Sequence, residues 1–284
     1  MNPNNTNRKP SFLSFEVFPP KTDEDFDSAY ETLNALANLN PDFISVTYGA
    51  GGSKSKKTIE IASYIQNTLQ IEAIAHFTCV GSTKADIMSV YHALQEANVS
   101  TVLALRGDRP ANMSDEQYNA REFTYASDMI TYLKEHTSLR IAGACYPEKH
   151  FEAVSKASDL ANLQKKVAAG ATFLITQLFL DNEFLYRFLD RAREIGITVP
   201  ICAGIMPITS AKQLGTTVSL SGSSVPKELA DLIATYGDNA VDMRKAGIDY
   251  AIRQILDLRA HGVNDIHLYT MNKAKMAAEI VAGI

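Results

Sequence analysis

Short runs rich in β-branched and aromatic residues recur along this chain, each followed by a longer segment of helical periodicity. They are Phe12–Phe18, Phe43–Tyr48, Ile71–Cys79, Thr101–Leu105, Arg140–Tyr146, Thr172–Phe179, Val199–Ile205 and Ile266–Tyr269. One run per roughly 30 residues is the period of a βα unit, which predicts a parallel sheet covered by helices. Eight units match the count of a (β/α)₈ TIM barrel, and no early turn carries the Gly-x-Gly-x-x-Gly pattern of a doubly wound open sheet. A chain of 284 residues supports one core, so the reading is a single catalytic barrel domain over 11–284 after a polar tail, 1–10, without fixed structure.

The helical segments have readable ends. A Thr-Asp-Glu-Asp cluster opens one at Thr22, and others are expected over Lys56–Thr68, Thr83–Ala97, Asp159–Ala169 before Gly170, Phe184–Ile195 before Gly196, Ala240–His261 and Lys273–Val281. A single long helix is expected over Tyr118–Glu135. Lys212–Gly237 breaks the rhythm, reading as a loop, TTVSLSGSSVP, followed by a short helix, KELADLIATY. That insertion in the seventh βα region is either a cover for the strand ends or a helix pair on the surface.

Bulk properties exclude several classes. The 27 basic and 32 acidic residues, net charge -5, form no basic block, so nucleic acid is not an expected partner. No stretch reaches the length of apolar residues a membrane span requires, and no leader pattern opens the chain. Cys79, Cys145 and Cys202 are odd in number and lie far apart in apolar runs, as small hydrophobes in a reducing, cytoplasmic setting would. No His-Glu-x-x-His or clustered cysteines suggest a metal, and Gly49–Lys57 (GAGGSKSKK) lacks the spacing of a phosphate loop while still allowing close approach of a ligand.

Almost every apolar run ends in polar residues, and in a barrel those ends face one cavity. Glu16, Thr47, Tyr48, His76, Thr78, Arg106-Gly107-Asp108, Tyr146, Glu148, Gln177, Tyr269 and Asn272 are so placed. Glu16 stands among Phe15, Val17 and Phe18, where burial would raise its pKa and suit it to deliver a proton. The alternative is a Glu paired with a structural Lys or Arg. Asp108 either balances a cationic ligand or caps a turn before Pro110, and His76 and His267 read as hydrogen-bonded structural residues as readily as ligands.

The motifs SFEVFPPK (Ser14–Lys21), FISVTYGAGG (Phe43–Gly52), AHFTC (Ala75–Cys79), ALRGDRP (Ala104–Pro110), ACYPEKH (Ala144–His150), DLANLQKKVAAGA (Asp159–Ala171), ITQLFLD (Ile175–Asp181), GIMPI (Gly204–Ile208) and HLYTMN (His267–Asn272) occur in order along nearly the whole chain. In these the sequence resembles bacterial-type methylenetetrahydrofolate reductases. The resemblance implies an FAD-dependent barrel that reduces 5,10-methylenetetrahydrofolate to 5-methyltetrahydrofolate with NADH or NADPH, in two half-reactions on one flavin face. It implies Glu16 as general acid, Asp108 near flavin and folate, and Gln177, Gln213 and Tyr269 as substrate contacts. Flavin contacts implied are Thr47, His76, Arg106, Gly107, Asp108, Tyr125, Ala126, Tyr146, Asp159, Asn162, Lys165 and Lys166. It further implies a homo-oligomer, with no counterpart after Ile284 of the long regulatory module of eukaryotic relatives.

Two positions depart from the family pattern. Lys165 stands where Arg can occur, which replaces a forked contact by a point charge. Thr217 stands where the bacterial pattern usually carries a Phe that stacks on the dinucleotide. Two other classes share features with the chain: a flavin barrel that oxidises an amine such as proline, and a non-enzymatic folate binder.

Overall fold

Alternation along the strands sorts their side chains into two sets, which pack separately. The structure, a computed structural model, describes residues 11–48 and 52–284. Among the described residues, β1 (Phe12–Val17), β2 (Phe43–Val46), β3 (Glu72–Thr78), β4 (Thr101–Leu105), β5 (Arg140–Cys145), β6 (Phe173–Thr176), β7 (Ile201–Ile205) and β8 (Asp265–Tyr269) close in chain order into an all-parallel barrel. Each overlaps the run assigned to it from sequence. Phe15, Val17, Ile44, Val46, Phe77 and Leu268 point outward into the core shared with the helices. Phe43, Ile74, Leu103, Ala142, Phe173 and Cys202 point inward and fill the barrel.

The outer layer comprises α1 (Phe26–Ala37), α2 (Gly52–Ser63) with a π-helical turn over Tyr64–Thr68, α3 (Lys84–Glu96), α4 (Asp115–Asn119), α5 (Ala126–His136), α6 (Lys156–Ala169) and α7 (Asn182–Glu194). It continues with α8 (Ala211–Ser221), α9 (Lys227–Tyr236), α10 (Ala240–Ala260) and α11 (Ala274–Ala282). No helix among the described residues is long and apolar enough to cross a membrane. The expected tail, 1–10, and the glycines at 49–51 lie outside the described residues.

Two expectations are corrected. The single helix over Tyr118–Glu135 is instead α4 and α5 with a break between them. Asp128 causes the break, because its carboxylate accepts the backbone N–H groups of Thr124 and Tyr125, both at 2.9 Å, and so starts a new helix. The run TTVSLS is not a loop but the body of α8. Ser210 caps it by accepting from the Gln213 N–H at 3.1 Å, and the Thr216 and Ser221 hydroxyls donate to carbonyls four residues back. Gly222, at φ 69°, ends the helix. The helix expected from Asp159 also begins earlier, at a Ser155 cap.

Candidate active site

The parallel register brings inward-facing polar residues from different strands to one level. Glu16 on β1 lies opposite Ser45 on β2 and Tyr269 on β8, and Ser14 lies opposite His267. The Glu16 carboxylate is buried, with His76 Nε2 at 3.3 Å and His267 Nε2 at 3.8 Å from the same oxygen, Oε2. The last strand fixes its backbone, since the Thr270 hydroxyl donates to the Glu16 carbonyl at 2.7 Å. Asn272 then clasps Phe18 through both backbone groups, at 2.8 and 2.9 Å.

This corrects the electrostatic expectation for Glu16. Burial raises its pKa, but the facing imidazoles, His267 and then His76, outweigh burial and hold the carboxyl down to about 2. The free site therefore carries a carboxylate, paired with histidines rather than with Lys or Arg. Burial in turn lowers the pKa of His267.

A cavity of about 510 Å³ opens over the ends of β4 and β5 against α5 and α6. Arg106, Tyr125, Ala126, Tyr146, Asp159, Asn162, Lys165 and Lys166, all singled out from sequence, line it together. Its polar groups are partly engaged with one another. The Arg106 guanidinium forms a two-pronged pair with Glu152, and this hydrogen bonding keeps its pKa raised. Lys166 donates to the Ala144 carbonyl at 2.5 Å, and burial lowers its pKa. Lys165 lies 3.4 Å from Asn162 Oδ1, and burial pushes the Tyr146 hydroxyl up to about 12. Gly107 sits at φ 82°, where a Cβ would come within 2.9 Å of Val80 and 3.0 Å of Thr78, so the turn after β4 demands glycine. Asp108 next to it is exposed, within electrostatic reach of Tyr146.

A second cavity, of about 480 Å³, lies where α8 covers the ends of β6 and β7. Gln177 and Gln213 line it with Phe18, Leu178, Met206, Thr217 and Leu220. The insertion thus covers strand ends, and Glu148 secures it by accepting from the Ser224 hydroxyl at 2.6 Å and the Ser224 N–H at 3.0 Å. The Gln213 carboxamide folds back on its own turn, accepting from Thr209 and donating to the Pro207 carbonyl at 2.9 Å. Thr217 is buried with its hydroxyl on the Met206 sulfur at 3.5 Å. Tyr269 reaches across the barrel and donates to the Thr176 carbonyl at 2.6 Å. Gly204 makes room for that ring, since a Cβ there would lie 2.7 Å from Tyr269 and 2.5 Å from the Thr176 oxygen.

With this geometry in place, comparison with known proteins is decisive. A family model described as methylenetetrahydrofolate reductase matches residues 3–284. The chain belongs to the methylenetetrahydrofolate reductase family. It is 35% identical over 268 residues to the 5,10-methylenetetrahydrofolate reductase of Escherichia coli K12, covering 94% of this chain and 88% of that one. It is 35% identical over 288 residues to methylenetetrahydrofolate reductase (NADH) 1 of Arabidopsis thaliana, covering 96% of this chain and 48% of the plant protein. The barrel is also similar to a solved Clostridium thermocellum protein that binds two copies of 5-methyl-5,6,7,8-tetrahydrofolic acid. That likeness has a TM-score of 0.63 at 16% identity, over 98% of this chain and 95% of the other, and concerns the fold alone.

Methylenetetrahydrofolate reductases are oxidoreductases of folate one-carbon metabolism, and in this member several site residues escaped the sequence reading. His150, Glu152 and Ala153 line the first cavity, on a segment held by the His150 N–H donating to Asp159 at 3.1 Å. The motif ACYPEKH contains His150 but gives no sign that the next residues turn inward. Ser14 and Ser45 also went unremarked, although both are inward-facing, buried and in contact with His267. Strand alternation from Glu16 and Thr47 would have found them.

Proposed function

We propose that this protein reduces 5,10-methylenetetrahydrofolate to 5-methyltetrahydrofolate with NADH or NADPH, using FAD in two half-reactions on one flavin face, as a cytoplasmic homo-oligomer. The observation that carries the reading is the convergence of separately inferred flavin contacts on one cavity beside the Glu16 cluster.

The residues fit FAD. The first cavity combines cations from Arg106, Lys165 and Lys166 with hydrogen-bonding groups from Asp159 and Asn162 and apolar surface from Tyr125, Ala126 and Tyr146. Lys165 and Lys166 would face the diphosphate, and the Gly107 turn would let the ring system come close to backbone. When bound, the flavin takes a hydride from the nicotinamide and hands it to the folate. Thr47, His76 and Asp108 would border the ring, with Asp108 favouring positive charge on the folate. Gln177, Gln213 and Tyr269 would orient the pterin and, in turn, the nicotinamide.

Glu16 supplies the proton. A folate entering over it removes its remaining contact with water and raises its proton affinity, so the carboxyl is protonated in the complex rather than in the free site. Proton transfer to a folate ring nitrogen breaks a carbon–nitrogen bond of the imidazolidine and leaves an iminium whose exocyclic carbon accepts the hydride. The absorption spectrum of the purified protein tests the whole reading. A flavin spectrum that bleaches with anaerobic NADH and returns with methylenetetrahydrofolate is expected. Bleaching without return would favour an amine-oxidising flavin barrel, and a folate-binding protein without a reducible chromophore would favour a non-enzymatic binder.

A further inference from the structure

We propose that His267 is a positioning residue that stores the proton Glu16 delivers, and that Ser14 sets the imidazole tautomer on which this depends. The inference rests on the reading of Glu16 as the acid and extends it to residues behind it in the barrel.

His267 is fully buried, and both of its ring nitrogens face polar atoms. The Ser14 hydroxyl has one proton and donates it to the Ile266 carbonyl at 3.2 Å. Toward His267 Nδ1, at 2.8 Å, the same oxygen must therefore accept, which places a hydrogen on Nδ1. In a neutral ring Nε2 is then a lone pair, and it faces Ser45 Oγ at 3.4 Å and Glu16 Oε2 at 3.8 Å. A lone pair directed at a carboxylate oxygen is repulsive. One proton thus belongs to the pair, on the ring as imidazolium or on the carboxyl as the neutral acid.

The surroundings hold this arrangement. Phe43 stacks on the imidazole, with centroids 5.6 Å apart and planes at 23°, and Tyr269 meets it edge-on at 5.4 Å. The titratable groups around His267 are Glu16 on β1, Tyr269 on β8 and His76 on β3, the last 3.3 Å from Glu16 through a buried Nε2 that makes no well-formed hydrogen bond. A separation of 3.8 Å is an ion-pair distance that a side-chain shift of under about 1 Å closes to hydrogen-bond length. As Glu16 gives a proton to the folate nitrogen, the Nε2–H proton of the imidazolium moves to Glu16. The ring becomes neutral and no electrons are transferred. The proton returns from water through Glu16, which keeps 9% exposure while His267 has none.

The test is anaerobic stopped-flow on FAD-loaded His267→Gln, Ser14→Ala and Glu16→Gln, following the NADH and folate half-reactions separately across pH. His267→Gln is expected to slow the folate half-reaction about tenfold or more and to abolish its pH dependence between about pH 5 and 8, while the NADH half-reaction stays within about twofold. Ser14→Ala is expected to displace the pH profile with a smaller loss of rate. Nitrogen-15 NMR of histidine-labelled parent protein should show His267 protonated at Nδ1, a state lost in Ser14→Ala. A parental rate and pH profile in His267→Gln overturns the proposal, as does an Nε2–H tautomer in the parent, a reading that requires no variant to fold. If Glu16→Gln also reoxidises at the parental rate, the acid assignment itself fails; if it alone is slow, only the role of His267 falls.

Discussion

The cavity over β4 and β5 and the cluster around Glu16 are built on opposite plans. The cavity draws its charges from helices and connecting segments, as with Lys165 and Lys166 on α6, and its polar groups keep partial access to solvent. The cluster draws its polar groups from strand interiors, Glu16, His76 and His267, each pinned by the sheet register and almost sealed. Grip on a large cofactor tolerates adjustable side chains, whereas a proton transfer needs atoms held to a fraction of an ångström, which strands supply better than loops.

The strongest way to break that comparison is Glu16→Gln, which keeps volume and hydrogen-bonding reach but cannot donate a carboxylic proton. The folate half-reaction should slow at least about a hundredfold, while FAD content and the NADH half-reaction remain close to parental. Equal slowing of both half-reactions in stopped-flow would mean that the cluster supports the flavin cavity rather than standing apart from it.

Acid unfolding sharpens the contrast thermodynamically. Glu16 is held at about 2, below its ordinary 4.5, so its stabilising contribution is complete above about pH 4.5 and is lost as pH falls toward 2. His267 has a pKa lowered from 6.5, so the unfolded chain takes up that proton first and stability begins to fall below pH 6.5. Chemical denaturation as a function of pH should therefore show both losses in the parent, and Glu16→Gln should lack the lower one. The cavity lysines should leave this profile unchanged.

On the cofactor side, Lys165→Ala and Lys166→Ala should both weaken FAD binding, with different salt dependence. Lys165 is exposed, so its attraction for a diphosphate is screened by salt, whereas Lys166 is buried and screened less. Titrations of FAD at low and high salt should show the larger salt-dependent loss for Lys165→Ala; identical salt slopes would place the two charges in equivalent surroundings. The smallest effect is expected from Thr217→Phe. Buried against Met206, this site cannot take an aromatic ring without overpacking, at a cost of about 1–3 kcal/mol in stability, so NADH affinity should not improve. Tighter NADH binding in a variant as stable as the parent would show that α8 can reopen at this position.

The barrel was legible because its strands are short, apolar and evenly spaced, and each hydrophobic run fell on a strand. The break between α4 and α5 was not, because it depends on the Asp128 side chain competing for backbone donors in a segment whose apolar spacing continues across the gap. TTVSLS was misread for a related reason: its hydroxyls suggest a loop until they find carbonyls within the helix. In the site, Glu16 was conspicuous as a charge among aromatics, but the sign of its pKa shift was not. That sign is set by His76 and His267, far away in sequence and joined to Glu16 only by closure of the sheet.

That closure joins the two ends of the chain. The Thr270–Glu16 and Asn272–Phe18 contacts span 254 residues, so a carboxyl made among the first residues of synthesis waits for partners made among the last. A nascent chain that has folded its early βα units still lacks the clasp of β8 and the second imidazole. Until β8 emerges, Glu16 on a growing polypeptide is an ordinary solvent-exposed side chain, and ribosome-bound or C-terminally nicked chains are inert toward the chemistry that the finished barrel performs.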